Sequence, residues 1–529
     1  MLGFVFEPIL VSIDALGYVE RVSRYFQVLV SGGFMQEIIS VIIAQPGRVV
    51  LYLFLLIFVL LAIRDATQKT SSIKRNFPLL GVARYAISAI GPELRQYLFA
   101  NDREERPVPR YIRNWIEESS TGGNSTVPFG TQLDISNPGT VLMRHSAFPV
   151  PTPHGKFEVV IGPDCPNPYK ASVFNVSAMS YGSLGARAVA ALSYGAKRGG
   201  FFLNTGEGGV SPYHLEGGGD LVWQLGTAKF GCRASDGSFD QAEFARVVSH
   251  PQIKMVEIKL SQGAKPGKGG ILPKSKITPE IAKIRNVRMG EDVLSPSSHA
   301  EWDDAVGLMV FLDNLRRIAG KPVGIKFCLG DPEFLDDLCA AVVSTGVAPD
   351  YIQVDGADGG TGAAPLAHTN LLGYPMLDAV MMAENKLIEH GLRERIRIGA
   401  SSKVWTGAAL ATAIAAGADF AVSARGFMLS LGCIQALHCN TNFCPAGVAT
   451  HSKWLQRGLV PAVKSERVAN YHEAVVHDFV AVLGSCGYTT AKELSRKDLM
   501  KVVGWHEIET MDELVPYPDF DETVTGSIV

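Results

Sequence analysis

The stretch that decides the fold is 322–365, PVGIKFCLGDPEFLDDLCAAVVSTGVAPDYIQVDGADGGTGAAP. It begins with a short apolar strand, continues as an alanine- and leucine-rich helix over 332–346, and ends with a second strand at 351–354. A glycine-rich loop follows that second strand. Strand, helix and strand in this order form the repeating unit of a parallel sheet covered by helices. The sequence therefore predicts an α/β protein.

The same unit recurs from about residue 155 onward, with helical stretches over 186–198 and 406–417. The candidate strands are Phe174–Ser180, Gly200–Asn204, Thr227–Gly231, Met255–Leu260, Pro322–Phe327, Tyr351–Val354, Ile396–Gly399 and Phe420–Ser423. Eight strands with intervening helices predict a (β/α)8 TIM barrel. The alternative is a doubly wound open sheet, but no G-x-G-x-x-G follows the first strand. The segment 264–321 is interpreted as a loop-like insertion between the fourth and fifth strands.

Composition narrows the class of protein. The chain has 529 residues, a formal net charge of −3 and 47% hydrophobic residues. That content is enough for a large core and more than one domain. The near-neutral charge argues against nucleic acid as a partner. Eight cysteines without a small-domain framework do not indicate a secreted disulfide protein, and five of them are scattered and interpreted as buried thiols.

The N-terminal region predicts a membrane anchor. Val49–Ile63 contains no charged residue, and extension back to Ala44 gives a length close to that of a bilayer span. A second apolar stretch, Gln27–Ala44, is interpreted as a second span or as a segment that lies along the membrane interface. For Val49–Ile63 the alternative to a membrane span is a buried core helix. Basic residues follow the run, so we expect an inner (cytoplasmic) membrane protein with its catalytic domain facing the cytoplasm. The predicted organisation is an anchoring helical segment (1–64), a connector wrapping the barrel (65–150), the barrel (151–480) and a C-terminal helical extension (481–529).

Glycine-rich loops follow four of the candidate strands, at 178–183, 204–212, 261–270 and 355–365. Glycine allows the backbone to approach a ligand closely, so these loops indicate a large flat ligand at the strand ends. After the seventh and eighth strands, 399–407 and 424–426 suit a phosphate, because barrels commonly bind phosphate there. The candidate phosphate-side residues are Gly399, Ser401, Gly407, Ala424 and Arg425. Together these features favour flavin mononucleotide (FMN), and a surface salt bridge is the alternative role for Arg425.

Charged residues near the strand ends are candidates for chemistry. Lys326 could stabilise the negative charge of a reduced flavin, form a Schiff base, or simply extend to solvent. Glu207 could orient the ligand, donate a proton, or hold its own loop. Lys259 lies in the same region, and Lys265 could attract an anionic substrate or belong to a solvated loop.

Cys433, Cys439 and Cys444 have the spacing C-x5-C-x4-C, and Pro445 follows them. Thiolates clustered in a loop suit an iron–sulfur cluster. Three ligands suggest a cluster that lacks one iron of the cube, or an external fourth ligand. Zinc is the alternative, although zinc usually takes four ligands with closer cysteine pairs.

The sequence contains, in this order, AMSYGS, NTGEGG, EIKLSQGAKPGKGG, DGADGGTGAAP and the cysteine motif with CPAGVAT. Together they resemble the FMN-binding synthase domain of glutamate synthase large subunits. The resemblance runs in order from about 155 to 480, and it is greatest to shorter stand-alone members with an N-terminal membrane segment. It implies a (β/α)8 barrel with FMN and a 3Fe–4S cluster. In this family, reduced FMN delivers hydride to 2-iminoglutarate, formed from 2-oxoglutarate and ammonia, to give L-glutamate. The implied electron donor is ferredoxin, a reductase subunit or a membrane donor, and the ammonia is free or comes from a separate glutaminase.

The resemblance also implies roles for individual residues. Cys433, Cys439 and Cys444 would ligate the cluster, and Gln224 would lie near the flavin. The flavin contacts would be Ala178, Met179, Ser180, Lys326, Asp358, Gly359, Gly360 and Thr361.

The chain departs from full-length members in having no glutaminase domain and no room for a C-terminal β-helix. It also has Lys229, a candidate substrate residue, where those members usually have arginine. Another amino or imino acid substrate, as in an N-methylglutamate synthase, is therefore an alternative. An electron-transfer subunit of a membrane complex is another.

Overall fold

The computed structural model describes residues 44–123 and 126–518, and they fall into two compact units with a boundary between Ala100 and Asn101. The described part of the first unit, from residue 44, contains helices Pro46–Thr67, Ser72–Asn76 and Leu80–Leu94 and a π-helical turn, Arg95–Phe99. Pro46 occupies the first turn of the long helix, where its missing N–H costs nothing.

Pro46–Thr67 contains the apolar run predicted from the sequence, and its 22 residues extend about 33 Å at 1.5 Å per residue. Among the described residues, it is the one helix long and apolar enough to cross a bilayer, judged by length and composition. Of the second apolar stretch, only Ala44 lies within the described residues.

The second unit contains a closed barrel of eight parallel strands, which confirms the predicted TIM barrel. The strands are β1 Phe174–Val176, β2 Leu203–Asn204, β3 Leu221–Leu225, β4 Ile253–Lys259, β5 Val323–Phe327, β6 Tyr351–Asp355, β7 Arg397–Ser401 and β8 Phe420–Ser423. Each strand pairs with the next along the chain, and β8 pairs with β1 in the register Ala421–Phe174 to close the ring.

Helices cover the outside of the barrel, and several begin at a side-chain cap. Asp240, Thr278, Asp304 and Thr406 each accept a hydrogen bond from a backbone N–H of the first turn. The helices are Ala186–Gly199, Pro212–Glu216, Gln241–Val248, Pro279–Arg285, Ala305–Ala319, Glu333–Thr345, Leu366–Thr369, Met376–Glu389, Gly407–Ala415, Arg425–Ser430, Lys453–Gln456 and Pro461–Ser485.

Two local predictions are wrong. The third strand is Leu221–Leu225 and not Thr227–Gly231, because the apolar run LVWQL is buried at every position whereas 227–231 forms the turn after it. The segment 264–321 is not simply a loop. It contains two helices, of which Ala305–Ala319 buries Leu308, Leu312 and Leu315 at helical spacing.

A hairpin of Glu158–Ile161 and Tyr169–Ser172 covers the N-terminal end of the barrel. Ile161 and Ala171 of the hairpin pack in one buried cluster with Phe202, Tyr351 and Phe420, which lie at or before the starts of their strands. The C-terminal end of the strands is therefore the end available to a ligand.

The C-terminal segment is not the predicted helical extension. The long helix ends at Ser485, and the strands Leu499–Gly504 and Glu507–Thr510 form an antiparallel sheet with Val141–Met143, followed by the short helix Met511–Leu514. The predicted connector 65–150 is divided between the two units at Ala100. Its second part contains helix Arg110–Ser120, whose Glu117 pairs with Arg467.

Candidate functional site

A cavity of about 510 Å³ opens at the C-terminal end of the strands, a typical volume for a cofactor or substrate site. It is lined by residues from the loops after β1, β2, β4, β6, β7 and β8. The lining includes most of the candidate residues, namely Ala178, Met179, Ser180, Glu207, Gln224, Lys259, Lys265, Lys326, Gly359, Gly360, Thr361, Ser401, Ala424, Arg425, Cys433, Cys439 and Cys444.

Lys326, at the end of β5, stands between two buried carboxylates. Its Nζ lies 3.5 Å from Oδ2 of Asp355, which also accepts the backbone N–H of Gly263 at 2.9 Å. Burial alone would lower the pKa of Lys326, but Asp355 and Glu257 together raise it above its ordinary value. Lys326 therefore presents a permanent positive charge at the floor of the cavity.

Glu257 of β4 organises the polar residues beneath the cavity. Its Oε1 accepts hydrogen bonds from Asn204 Nδ2 at 2.8 Å and from Gln224 Nε2 at 2.6 Å. Gln224 is thereby held in one orientation on the cavity lining, because the carboxylate can only accept and the amide nitrogen must face it.

Glu207 pairs with Lys259, whose Nζ donates to Glu207 Oε1 at 2.7 Å and to Gln262 Oε1 at 2.6 Å. Burial would raise the pKa of Glu207, but Lys259, Lys265 and Arg285 hold it below its ordinary value. Glu207 is therefore an ionised carboxylate at neutral pH. This state favours an orienting role over proton donation.

Three further cationic side chains on the lining are buried, namely Lys265, Lys276 and Arg285. Among the described residues, none of the three has a carboxylate within 4 Å. Burial lowers the pKa of Lys265 and of Lys276 to about 8 each and that of Arg285 to about 10. Arg285 Nη2 donates to the carbonyl of Tyr181 at 3.1 Å, and its Nε has no partner among the described residues.

Sequence reasoning missed Arg285 and Lys276, because both lie in the segment interpreted as a loop. A local signal was present: Thr278 and Pro279 are a typical helix start, and Arg285 ends the helix that they begin.

Among the described residues, seven Lys or Arg side chains line the cavity together with two carboxylates, Glu207 and Asp355, while Glu257 and Asp358 act on Lys326 and Lys403 from outside the lining. The seven are Lys259, Lys265, Lys276, Arg285, Lys326, Lys403 and Arg425. Buried charges are costly unless they are paired. The cavity is therefore built for ligands that carry several negative charges.

The side of the cavity after β7 and β8 has the character of a phosphate site. Arg425 lies over the Trp405 ring at 5.3 Å and donates from Nη2 to the carbonyl of Asp358 at 3.0 Å. A Cβ on Gly360 would lie 2.9 Å from Arg425 Nε, so only glycine leaves this guanidinium in place. Lys403 adopts a positive φ of 53° and pairs with the Asp358 carboxylate at 3.0 Å.

The three cysteines of the motif are free thiols that line the same cavity. Burial raises the pKa of Cys433 to about 11, so an uncompensated thiolate is unfavourable there. The loop is held in an unusual path, with positive φ at Gln435, Leu437 and Asn442. Lys276 Nζ donates to the carbonyl of Cys439 at 3.1 Å and to the carbonyl of Ser183, which connects this loop to the loop after β1. Three thiols on one cavity lining beside a buried cation are a residue set that fits an anionic thiolate-bound metal cluster.

Four candidate residues do not line the cavity. Lys229 pairs with Glu301 at 3.0 Å, and Asp358 faces Lys403. Gly399 packs against the side chain of Gln353 within the barrel. Gly407 lies against the backbone of Phe479, where it allows close packing of the Pro461–Ser485 helix.

The sequence model of a protein family, described as the conserved region in glutamate synthase, matches residues 162–489 of the chain. The glutamate synthase large subunit-like protein YerD of Bacillus subtilis (strain 168) is 39% identical over 459 residues, covering 79% of this chain and 87% of that protein. An archaeal-type NADPH glutamate synthase of Thermotoga maritima is 33% identical over 337 residues, which is 63% of each chain. The ferredoxin-dependent glutamate synthase of Antithamnion sp. is 34% identical over 254 residues, 47% of this chain and 16% of that protein.

The matches thus cover most of the Bacillus protein but less than two thirds of the Thermotoga enzyme. The family match covers more than half of the chain and contains the whole barrel and the cysteine loop. The chain belongs to the glutamate synthase family, and it is an oxidoreductase of the class that acts on the CH–NH2 group of donors.

Proposed function

We propose that the protein reductively aminates 2-oxoglutarate to L-glutamate, through 2-iminoglutarate formed with ammonia, and that it uses FMN and a 3Fe–4S cluster. The observation that carries the proposal is the excess of seven cationic side chains over two carboxylates in one cavity that also holds three cysteines. FMN, a dicarboxylate and a thiolate-bound cluster are all anionic, and each has a matching set of side chains in this cavity.

FMN would lie across the glycine-rich loops, with its phosphate near Ser401 and Arg425 and its ring near Gln224 and Lys326. Arg425 suits a phosphate because its planar fork forms charge-assisted hydrogen bonds. Bound FMN would supply hydride-transfer chemistry. Lys326, kept protonated by its two carboxylate neighbours, would place a positive charge where a reduced flavin is negative.

The dicarboxylate would be held by Lys259, Lys265 and Arg285, which surround Glu207. Glu207 fixes Lys259 through the 2.7 Å contact, and its ionised carboxylate is suited to accept hydrogen bonds from ammonium or from an imine. Within the part of the chain that the structure describes, Lys265 and Arg285 have no carboxylate partner, and this supports the assignment because a substrate carboxylate would relieve the cost of burying their charges.

Cys433, Cys439 and Cys444 would ligate the cluster, which supplies one-electron chemistry between an external donor and the flavin. Ferredoxin or a reductase subunit would be the donor. Helix Pro46–Thr67 would anchor the chain in the inner (cytoplasmic) membrane, and the basic residues after it would keep the barrel on the cytoplasmic side.

The test uses the purified full-length protein with its FMN and iron content measured. The reduced enzyme is mixed anaerobically with 2-oxoglutarate and ammonium, and flavin reoxidation and glutamate are followed. We expect stoichiometric glutamate and no reoxidation when either compound is omitted. Reduced, cofactor-loaded enzyme that is not reoxidised by the pair would refute the proposal. Reoxidation with methylamine but not with ammonium would support the N-methylglutamate-type alternative instead.

A further inference from the structure

Residues 69–99 of the first unit combine a strong positive charge with exposed apolar side chains. This stretch contains five basic residues and a single acidic one, Glu93. The basic residues are Lys69, Lys74, Arg75, Arg84 and Arg95. The stretch begins two residues after the last residue of the apolar helix Pro46–Thr67.

Helix Leu80–Leu94 and the turn after it expose large apolar side chains. Leu80, Ile87 and Ile90 follow helical spacing along one side, and they are 75%, 63% and 53% exposed. Leu98 and Phe99 in the following turn are 68% and 78% exposed. A contiguous apolar surface of this kind marks a site of interaction, with a protein or with a membrane.

The basic residues of this helix and of the turn after it lie near one side. Arg84 and Ser88 of the helix and Arg95 of the turn recur at intervals of four and seven residues, so they lie near one side, which Leu80 and Ile87 border. Glu93 lies on the opposite side of the helix. A broad apolar face with a basic stripe is typical of helices that lie in a membrane interface.

Specific hydrogen bonds hold the segment between helices Pro46–Thr67 and Leu80–Leu94, which includes the short helix Ser72–Asn76. The buried Asp65 accepts the backbone N–H of Leu79 at 3.2 Å, and Gln68 Nε2 donates to the carbonyl of Ser71 at 2.7 Å. Ser71 Oγ lies 2.7 Å from the Tyr85 hydroxyl. These contacts connect helix Leu80–Leu94 to the end of the apolar helix Pro46–Thr67. The exposed face of Leu80–Leu94 therefore has a defined position relative to that end.

We propose that residues 69–99 form an interfacial element that binds a bilayer surface rich in anionic lipids. The inference rests on the proposed anchoring by Pro46–Thr67. A lipid surface is favoured over a protein partner because the basic residues begin at the end of a candidate span. Lys and Arg at that position are attracted to anionic headgroups. Tyr85 and Tyr97, both partly exposed, are of the residue type enriched at this depth.

The experiment compares backbone amide exchange in the full-length chain reconstituted into two kinds of nanodisc, phosphatidylcholine alone and phosphatidylcholine with phosphatidylglycerol. Exchange is measured by mass spectrometry over residues 80–99, with the barrel helix Pro461–Ser485 as an internal reference. The test variant is K69Q/K74Q/R75Q. The matched control is K170Q/K492Q/K497Q, which removes three exposed charges from the second unit.

We expect exchange over 80–99 to be at least tenfold slower in the anionic discs than in the neutral discs. The test variant should lose this difference and the control should keep it. Equal exchange in both discs, or a lipid-dependent difference that the test variant retains, would overturn the proposal. Equal protection in detergent would overturn it as well, since a protein contact would then cover the face.

Extraction of native membranes with alkaline carbonate tests the anchor separately. Release of the chain would show that Pro46–Thr67 does not span, which is a different failure from loss of the lipid-dependent protection. The exchange experiment is interpreted for a chain that carbonate does not release.

Discussion

Substitution of Lys265 by methionine should weaken the binding of 2-oxoglutarate and remove the pH dependence of that binding. Lys265 is buried at 4% exposure, and burial lowers the pKa of its amine to about 8 from the usual 10.5. That difference corresponds to about 3 kcal/mol by which burial disfavours the charge. A substrate carboxylate would supply the missing partner.

The sign of the pH effect follows from the lowered pKa. Below pH 8 the amine is charged and ready to bind a carboxylate, whereas above pH 8 a proton must first be taken up. The apparent affinity of the wild-type enzyme should therefore fall about tenfold between pH 7 and pH 9. At pH 7 the K265M variant should bind roughly 10- to 100-fold more weakly, which is the value of one charge-assisted hydrogen bond.

In the assay, the oxidised, FMN-loaded enzyme is titrated with 2-oxoglutarate in a calorimeter at a series of pH values, and the dissociation constant is measured at each. K268M is the matched control, since Lys268 lies exposed in the same loop and outside the cavity. We expect K268M to reproduce the wild-type profile. If K265M retained the wild-type affinity and the same decline with pH, Lys265 would not hold the substrate and the reasoning would be wrong.

Three further results are expected. Cys433→Ser should abolish iron binding and leave FMN bound, as measured by metal analysis and flavin absorbance; a full iron complement in the variant would contradict the ligand assignment. Gly360→Ala should weaken FMN binding at least tenfold, because the new Cβ would lie 2.9 Å from Arg425 Nε; unchanged FMN affinity would place the phosphate elsewhere. Arg496→Met should reduce the free energy of unfolding by about 3–5 kcal/mol in denaturant titrations, because it leaves the buried carboxylate of Glu384 without its 2.7 Å partner. Arg393 Nε lies 3.6 Å from the other oxygen of Glu384, and a change below 1 kcal/mol would contradict the prediction by showing that Arg393 alone is a sufficient partner.

Much of the barrel could be predicted because its signals are local. The strands β4 to β8 are compact apolar runs followed by polar or glycine-rich loops, so seven residues or fewer identify each of them. The strand β3 was misplaced because its run LVWQL is followed at once by a second plausible segment, and only the pairing of β3 with β2 and β4 selects between them. The hairpin at 499–510 is not predicted, because its strands are half-buried and the first of them pairs with Val141–Met143, more than 350 residues earlier.

The residues of the candidate site also fall into two groups, those that local sequence identifies and those whose role depends on contacts made by folding. The cysteine motif and the glycine-rich loops at 178–183 and 355–365 are recognisable from residue type and spacing, and the resemblance to the family implied the flavin contacts at 178–180 and 359–361. The structure brings these residues to one cavity. For Gly407 the sequence leaves the role open, because a glycine at a helix start looks the same whether it approaches a phosphate or, as the structure shows, a neighbouring helix. Lys229 could not be placed from sequence, since its ion pair with Glu301 joins residues 72 positions apart.

The sequence by itself determined the class of fold, the family and the three thiols, because each depends on residues that are close together along the chain. Only the tertiary structure decided which cations face the cavity and which of them are unpaired. Lys259, Lys265 and Lys276 look alike in the sequence, yet the first is paired with Glu207 while the other two are buried without a carboxylate partner among the described residues. The charge state of a buried amine depends on the groups that folding brings around it, and the barrel assembles those groups from separate strands and loops.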